Sequence, residues 1–99
     1  MRYIKVRWTH SLPNEPTFLY SELDDHGWET RKVEIFPDGR IGFASASESA
    51  GSTRLGDIPV PPLAEIAAEG EFEPLEISQA EFEKVWAQRN LQASSAGEG

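Results

Sequence analysis

At 99 residues, with 38% hydrophobic side chains that include three Trp and five Phe, the chain can build one folded domain with a single modest core. The absence of cysteine excludes disulfides and thiolate chemistry, and it favours a reducing compartment. A formal charge of −8 argues against nucleic acid and anionic membrane as general partners, because both need a basic footprint. Residues 1–40 hold six Lys or Arg against seven Asp or Glu, whereas residues 41–99 hold three against ten, so the acidity belongs to the second half.

The first predicted element is a strand over Tyr3 to His10, in which Ile4, Val6 and Trp8 alternate with Lys5, Arg7 and Thr9. The apolar set is expected in the core. Charges interleave these residues, so the start does not read as a signal peptide. No stretch approaches the roughly 18 apolar residues of a membrane span, and the expected location is the cytoplasm. Ser11 to Thr17, with Pro13 and Pro16, reads as a loop.

Phe18 to Ala44 reads as a three-stranded meander. Phe36-Pro37-Asp38-Gly39-Arg40 suits a three-residue hairpin loop with glycine in the left-handed conformation, which places Ile35 opposite Ile41 and Val33 opposite Phe43 on a buried face. Asp24-Asp25-His26-Gly27 reads as a four-residue loop. The register that follows sets Phe18 against Val33, Tyr20 against Arg31 and Glu22 against Glu29, adding Phe18 and Tyr20 to the same core face. Lys5, Arg7 and Lys32 are then expected on the outer face with Tyr3, Leu19, Leu23 and Trp28.

Ser45 to Gly56 is rich in Ser, Ala and Gly without apolar periodicity and reads as a mobile connection. Pro59-Val60-Pro61-Pro62 stiffens the lead into a short helix over Leu63 to Glu69, ended by Gly70. Phe72 to Ile77 contains Pro74 and is at best an edge strand. Ser78-Gln79-Ala80-Glu81 is a capping box for a helix to about Leu91, with Phe82, Val85, Trp86 and Arg89 on one stripe. The expected architecture is α+β: an antiparallel sheet of about four strands with one short helix and one longer C-terminal helix on one face. Residues 1–91 form that single domain, and residues 92–99 read as a disordered tail.

The strings Tyr20-Ser21-Glu22-Leu23-Asp24, Arg31-Lys32-Val33-Glu34-Ile35-Phe36, Pro59-Val60-Pro61-Pro62-Leu63 and Glu81-Phe82-Glu83-Lys84-Val85-Trp86 together resemble a family of small bacterial domains of unknown function, over about residues 1–87. The resemblance implies no activity, cofactor or catalytic residue, so none carries over. Ser45 to Ser52 and the tail lie outside those strings.

Candidate chemistry therefore rests on the residues. Glu22 facing Glu29 beside Arg31 is either a carboxylate pair for acid/base catalysis or a structural ion-pair cluster. His10, His26, Asp24 and Asp25 match no metal spacing, and Asp24 to Gly27 is explained as turn chemistry, so no metal or other cofactor is expected. No Gly-x-Ser-x-Gly elbow and no phosphate loop occur. Basic and aromatic residues on the outer face are the equipment of a single-stranded nucleic-acid binder, a reading opposed by the net charge and by Glu34. Trp28 and Lys32 on that face, with Glu69, Glu73 and Glu76 from the acidic half, make a candidate protein-binding surface, and Glu65 and Glu83 are expected to join those glutamates in steering a basic partner. The leading function is a non-enzymatic module, immunity-like or regulatory, that meets a basic protein partner. The alternative is a small enzyme using Glu22, Glu29 and Arg31.

Overall fold

The computed structural model describes residues 1–89. The elements run β1 (Arg2–Trp8), β2 (Phe18–Leu23), β3 (Glu29–Ile35), β4 (Ile41–Ser45), β5 (Ser49–Ala50), α1 (Leu63–Ala67), β6 (Phe72–Ile77) and α2 (Gln79–Ala87). The strands form one antiparallel sheet in the order β5-β4-β3-β2-β1-β6. The class is α+β as expected, but the sheet has six strands where the sequence suggests about four. The two extra strands are the short β5 and the proline-bearing β6, which pairs fully with β1 at the sheet edge.

The β3–β4 hairpin closes as its residues dictate. The Phe36 amide donates to the Arg40 carbonyl (2.9 Å), the Gly39 amide donates to the Phe36 carbonyl (2.9 Å), and Gly39 adopts φ +89°. Ile35 faces Ile41, and Val33 faces Phe43.

The β2–β3 turn is tighter than the four-residue loop expected. The Asp24 amide donates to the Trp28 carbonyl (2.9 Å) and the Gly27 amide to the Asp24 carbonyl (3.0 Å), repeating the geometry of the other hairpin. Asp24 Oδ1 also accepts from the His26 and Trp28 amides, which fixes the turn and lowers the carboxyl pKa. A bulge between Glu22 and Leu23 then leaves Thr30 as an extra residue, its hydroxyl donating to the Glu22 carbonyl (3.2 Å). Phe18 pairs with Ile35, Tyr20 with Val33 and Glu22 with Arg31. This register differs by two residues from the expected one, so those side chains keep their face. Glu29, beyond the bulge, pairs with Leu23 and changes face.

Both faces of the sheet are covered, by different helices, instead of both helices lying on one face. Under α2, Tyr3, Ile77 and Phe82 pack with Tyr20 and Trp86. Ser78 caps this helix by accepting from the Glu81 amide (3.1 Å), and Arg89 extends the stripe by stacking on Trp86, its guanidinium 4.1 Å from the ring centroid. The α1 side buries Ile4, Val6 and Leu23 against Leu19, Val60, Leu63, Ile66 and Phe72. The assignment of β1 is therefore reversed: Ile4 and Val6 share a face with Leu19 and Leu23, while Lys5 and Arg7 share one with Phe18 and Tyr20. Lys32 also lies on the α1 side, between sheet and loop.

The Ser45 to Gly56 segment is packed and not a free connection. Ser45 Oγ accepts from the Ser47 and Glu48 amides, and β5 pairs with β4. Thr53 is buried, its hydroxyl donating to Glu34 Oε1 (2.6 Å), and Thr53 sits where a Cβ on Gly42 would be. The helix α1 ends at Ala67, two residues short of the expected Glu69, and Gly70 at φ +59° then turns the chain toward β6. The helix α2 ends at Ala87, with Gln88 as its C-cap, about four residues short of the expected end at Leu91, and the expected tail, 92–99, lies outside the described residues. Among those described, no helix is long and apolar enough to cross a membrane.

Candidate functional site

A cleft of about 640 Å³ opens between the α1 side of the sheet and the Pro59 to Glu69 segment. Three local features shape it. The prolines around Val60 keep that segment extended, the Val60 amide ties it to the Gly27 carbonyl (2.8 Å), and Gly70 turns the chain back into β6. The short helix can therefore drop Leu63 and Ile66 onto the sheet without sealing it. Ile4, Val6, Leu19 and Phe72 form the apolar floor, and Val60 and Ile66 form the wall. Glu65 and Glu69 stand on the rim. Among the described residues no Lys or Arg lies within ion-pair reach of either.

One end of the cleft is polar. Ser21, buried in β2, donates to Glu29 Oε2 (2.9 Å), while Glu29 Oε1 accepts from the Gly56 amide (2.7 Å) and lies 3.6 Å from Lys32 Nζ. Lys32 also approaches Glu34 Oε2 (3.9 Å), while Thr53 donates to the other oxygen of that carboxylate. A row of alternating charge thus runs under the 50–56 loop. Its carboxylates are engaged internally, so the unpaired anionic groups of the cleft are those on α1 and just after it.

The Glu22–Arg31 cluster lies on the other face. Arg31 bonds both oxygens of Glu22 (2.9 and 2.6 Å) and both of Glu83 on α2 (3.0 and 2.7 Å), with its guanidinium over Phe82 and Trp86. These bonds hold the Glu22 carboxyl down at about 2 against the opposing effect of burial, with help from the Thr30 and Tyr3 hydroxyls. Arg31 lowers Glu83 as well, and the two carboxylates raise Arg31. Burial, then the bond to Glu22, raises Tyr3. Glu29 takes no part, so the expected three-residue set is divided between the two faces, and Glu83 occupies the place assigned to Glu29. The arrangement is a clamp between helix and sheet.

The remaining candidates are dispersed. Trp28 is exposed at the β2–β3 turn, and Lys32 is enclosed between Glu29 and Glu34, not on an outer face. Glu73 pairs loosely with Arg7 (3.7 Å) and Glu76 with Arg2 (3.9 Å), while Glu69 alone borders the cleft. His10 Nε2 donates to the Pro16 carbonyl (2.8 Å) and Nδ1 accepts from the Leu12 amide (2.9 Å), so the ring braces a loop. The described residues bring together no group of three or more potential metal ligands. Val60 and Ile66 were identifiable only as a stiffened, amphipathic segment. Their cleft depends on which sheet face receives them.

Sheet, clamp and cleft define a small antiparallel α+β domain with one face clamped under α2 at one end and the other face cleft beneath α1. The chain belongs to the family described as Domain of unknown function (DUF6881), whose model matches residues 2–91. No curated protein and no solved structure matches it.

Proposed function

We propose that the domain is a non-enzymatic protein-binding module, immunity-like or regulatory, whose working surface is the cleft beneath α1. The observation that carries this reading is the apolar floor bordered by Glu65 and Glu69 without cationic partners. An apolar side chain leaving water for such a floor gains roughly 25 cal/mol per Å² of buried surface. The rim carboxylates favour a neighbouring Lys or Arg and steer a basic partner during encounter. Glu73 and Glu76, already near Arg7 and Arg2, have a smaller part in this reading.

The enzyme reading lacks support, because Glu22 and Glu29 lie on opposite faces and Arg31 is held between two carboxylates. To test the module, a photo-crosslinker at Ala68 captures a partner, which is then purified for binding kinetics. Glu65→Lys with Glu69→Lys should slow association by at least about tenfold and weaken its salt dependence. Glu73→Lys with Glu76→Lys should have a smaller effect. A partner whose binding withstands both the first pair and Ile66→Asp would overturn the reading.

A further inference from the structure

The helix α2 covers only one end of its face. At the other end Lys5, Arg7, Phe18, Glu73, Pro74 and Leu75 line a groove of about 470 Å³. Register brings them together: Lys5 lies between Tyr20 and Leu75, and Arg7 between Phe18 and Glu73. We propose that this groove is a second binding surface, one that takes a protein segment in which an Asp or Glu adjoins apolar side chains. The carboxylate would meet Lys5, and the apolar groups would cover Phe18 and Leu75.

The argument begins with the cations. Six of the nine Lys and Arg residues form ion pairs among the described residues, leaving Lys5, Arg54 and Lys84. Arg54 and Lys84 are exposed to water, whereas Lys5 is half-buried, its ammonium 5.1 Å from the Phe18 ring centroid and 5.7 Å from that of Tyr20. The rings replace part of its hydration but supply no anion. A carboxylate arriving from outside completes the site in partly desolvated surroundings, where a charge-assisted bond is strongest. Arg7 is available too, since both side chains of its 3.7 Å pair with Glu73 are more than half exposed, and such pairs contribute little. Leu75, 60% exposed, supplies uncovered apolar surface beside the charge.

Side chains, not an added strand, must do the recognition. The Thr9 amide donates to the Glu71 carbonyl (2.9 Å), and the antiparallel alternation that follows turns the nitrogen of Pro74, which has no hydrogen, toward the open edge of β6. A docking strand would therefore miss a bond in the middle. Nucleic acid fits less well: Glu73 lies within the groove, and Lys5 already covers the rings on which a base would stack. The surface is on the opposite side of the sheet from the cleft, so its occupancy is separable from the proposed function.

The test is an amide chemical-shift titration of the whole isotope-labelled protein. Its probes are an end-blocked Leu-Asp-Phe-Glu-Leu peptide, the Asn/Gln counterpart of that peptide, and a ten-nucleotide oligothymidylate. Shifts with the acidic peptide should centre on Lys5, Phe18 and Leu75. Binding should weaken at least about tenfold for the neutral peptide and for Lys5→Gln, and should survive in Lys5→Arg. A dispersed Lys5→Gln spectrum verifies that the variant is folded. Shifts centred on the α1 cleft, equal binding of the two peptides, tighter binding of the oligonucleotide, or no shifts at all would each overturn the proposal.

Discussion

The two faces of the sheet each meet one helix entered from extended chain, yet α2 packs tightly over the end it covers while α1 leaves a cleft beneath it. Under α2, Tyr3, Phe82 and Trp86 interlock, with ring centroids of the last two 6.3 Å apart, and Arg31 joins sheet to helix with two hydrogen bonds to Glu22 in β2 and two to Glu83 in α2. Under α1, five helical residues contribute only Leu63 and Ile66, and no residue of the helix is fully buried. The difference teaches that stability rests on the area α2 covers, while both proposed recognition surfaces lie where helix cover is thin or absent. The covered end of the α2 face carries aromatic volume and satisfied charge, while the α1 face carries partly exposed apolar surface and unpaired charge.

The largest expected effect breaks the packing under α2. Phe82 is 0% exposed, and Phe82→Ala should cost about 3 to 5 kcal/mol in a denaturant titration. Ile66→Ala, on the cleft wall, should cost less than about 2 kcal/mol, because its side chain is only partly covered. Equal losses would remove the contrast between the faces.

The clamp provides the second test. Glu22 in the folded chain titrates at about 2, below its ordinary value of 4.5, so its contribution is fully present above pH 5 and is lost as pH falls toward 2. Arg31→Met should cost on the order of 2 to 4 kcal/mol near neutrality, because it leaves a buried carboxylate without its partner. It should also flatten the acid limb of stability against pH. An unchanged acid limb in Arg31→Met would show that Arg31 is not what holds Glu22 ionised.

A third, smaller effect concerns the loop that closes the far end of the α1 face. A Cβ on Gly42 would overlap Thr53 Oγ1, so Gly42→Ala should cost about 1 to 3 kcal/mol. In a Thr53→Ala background the added cost should shrink, a coupling that a double-mutant cycle measures directly. Additive losses would mean that the 50–56 segment is not anchored where Thr53 meets Glu34.

Features decided by a few adjacent residues could be read from the sequence. Gly39 with Pro37 and Asp38 sets one hairpin as expected, and at the start of α2 the Ser78 hydroxyl accepts from the Glu81 amide, the serine half of the expected capping box. Alternation in β1 shows that Ile4 and Val6 share a side, but parity cannot say which side. That choice is made by distant partners, α2 for Tyr3 and the Val60 to Ile66 segment for Ile4. The bulge at Thr30 was equally hidden: one extra residue, held by its hydroxyl on the Glu22 carbonyl, moves Glu29 to the opposite face and dissolves the supposed carboxylate pair. Of the candidate site, Glu69 could be read as part of an acidic segment, but its position over an apolar cleft could not, because the floor comes from three strands.

The smallest expected effect on stability sharpens the comparison most. Glu65 and Glu69 are exposed, and no Lys or Arg among the described residues reaches them, so their charges contribute little to the fold beyond the few tenths of a kcal/mol that Glu65 gains in the first turn of α1. Glu65→Lys with Glu69→Lys should therefore leave the denaturation midpoint nearly unchanged, since relief of part of the −8 net charge offsets the small loss at the N-terminus of α1. The clamp residues should respond in the opposite way, because each of their charges is bonded to another. If reversal at the rim destabilised the domain as Arg31→Met does, those carboxylates would be structural, and the cleft would lose the free charge on which its partner preference rests. Midpoints for the two variants, measured side by side at low and at physiological salt, separate these outcomes.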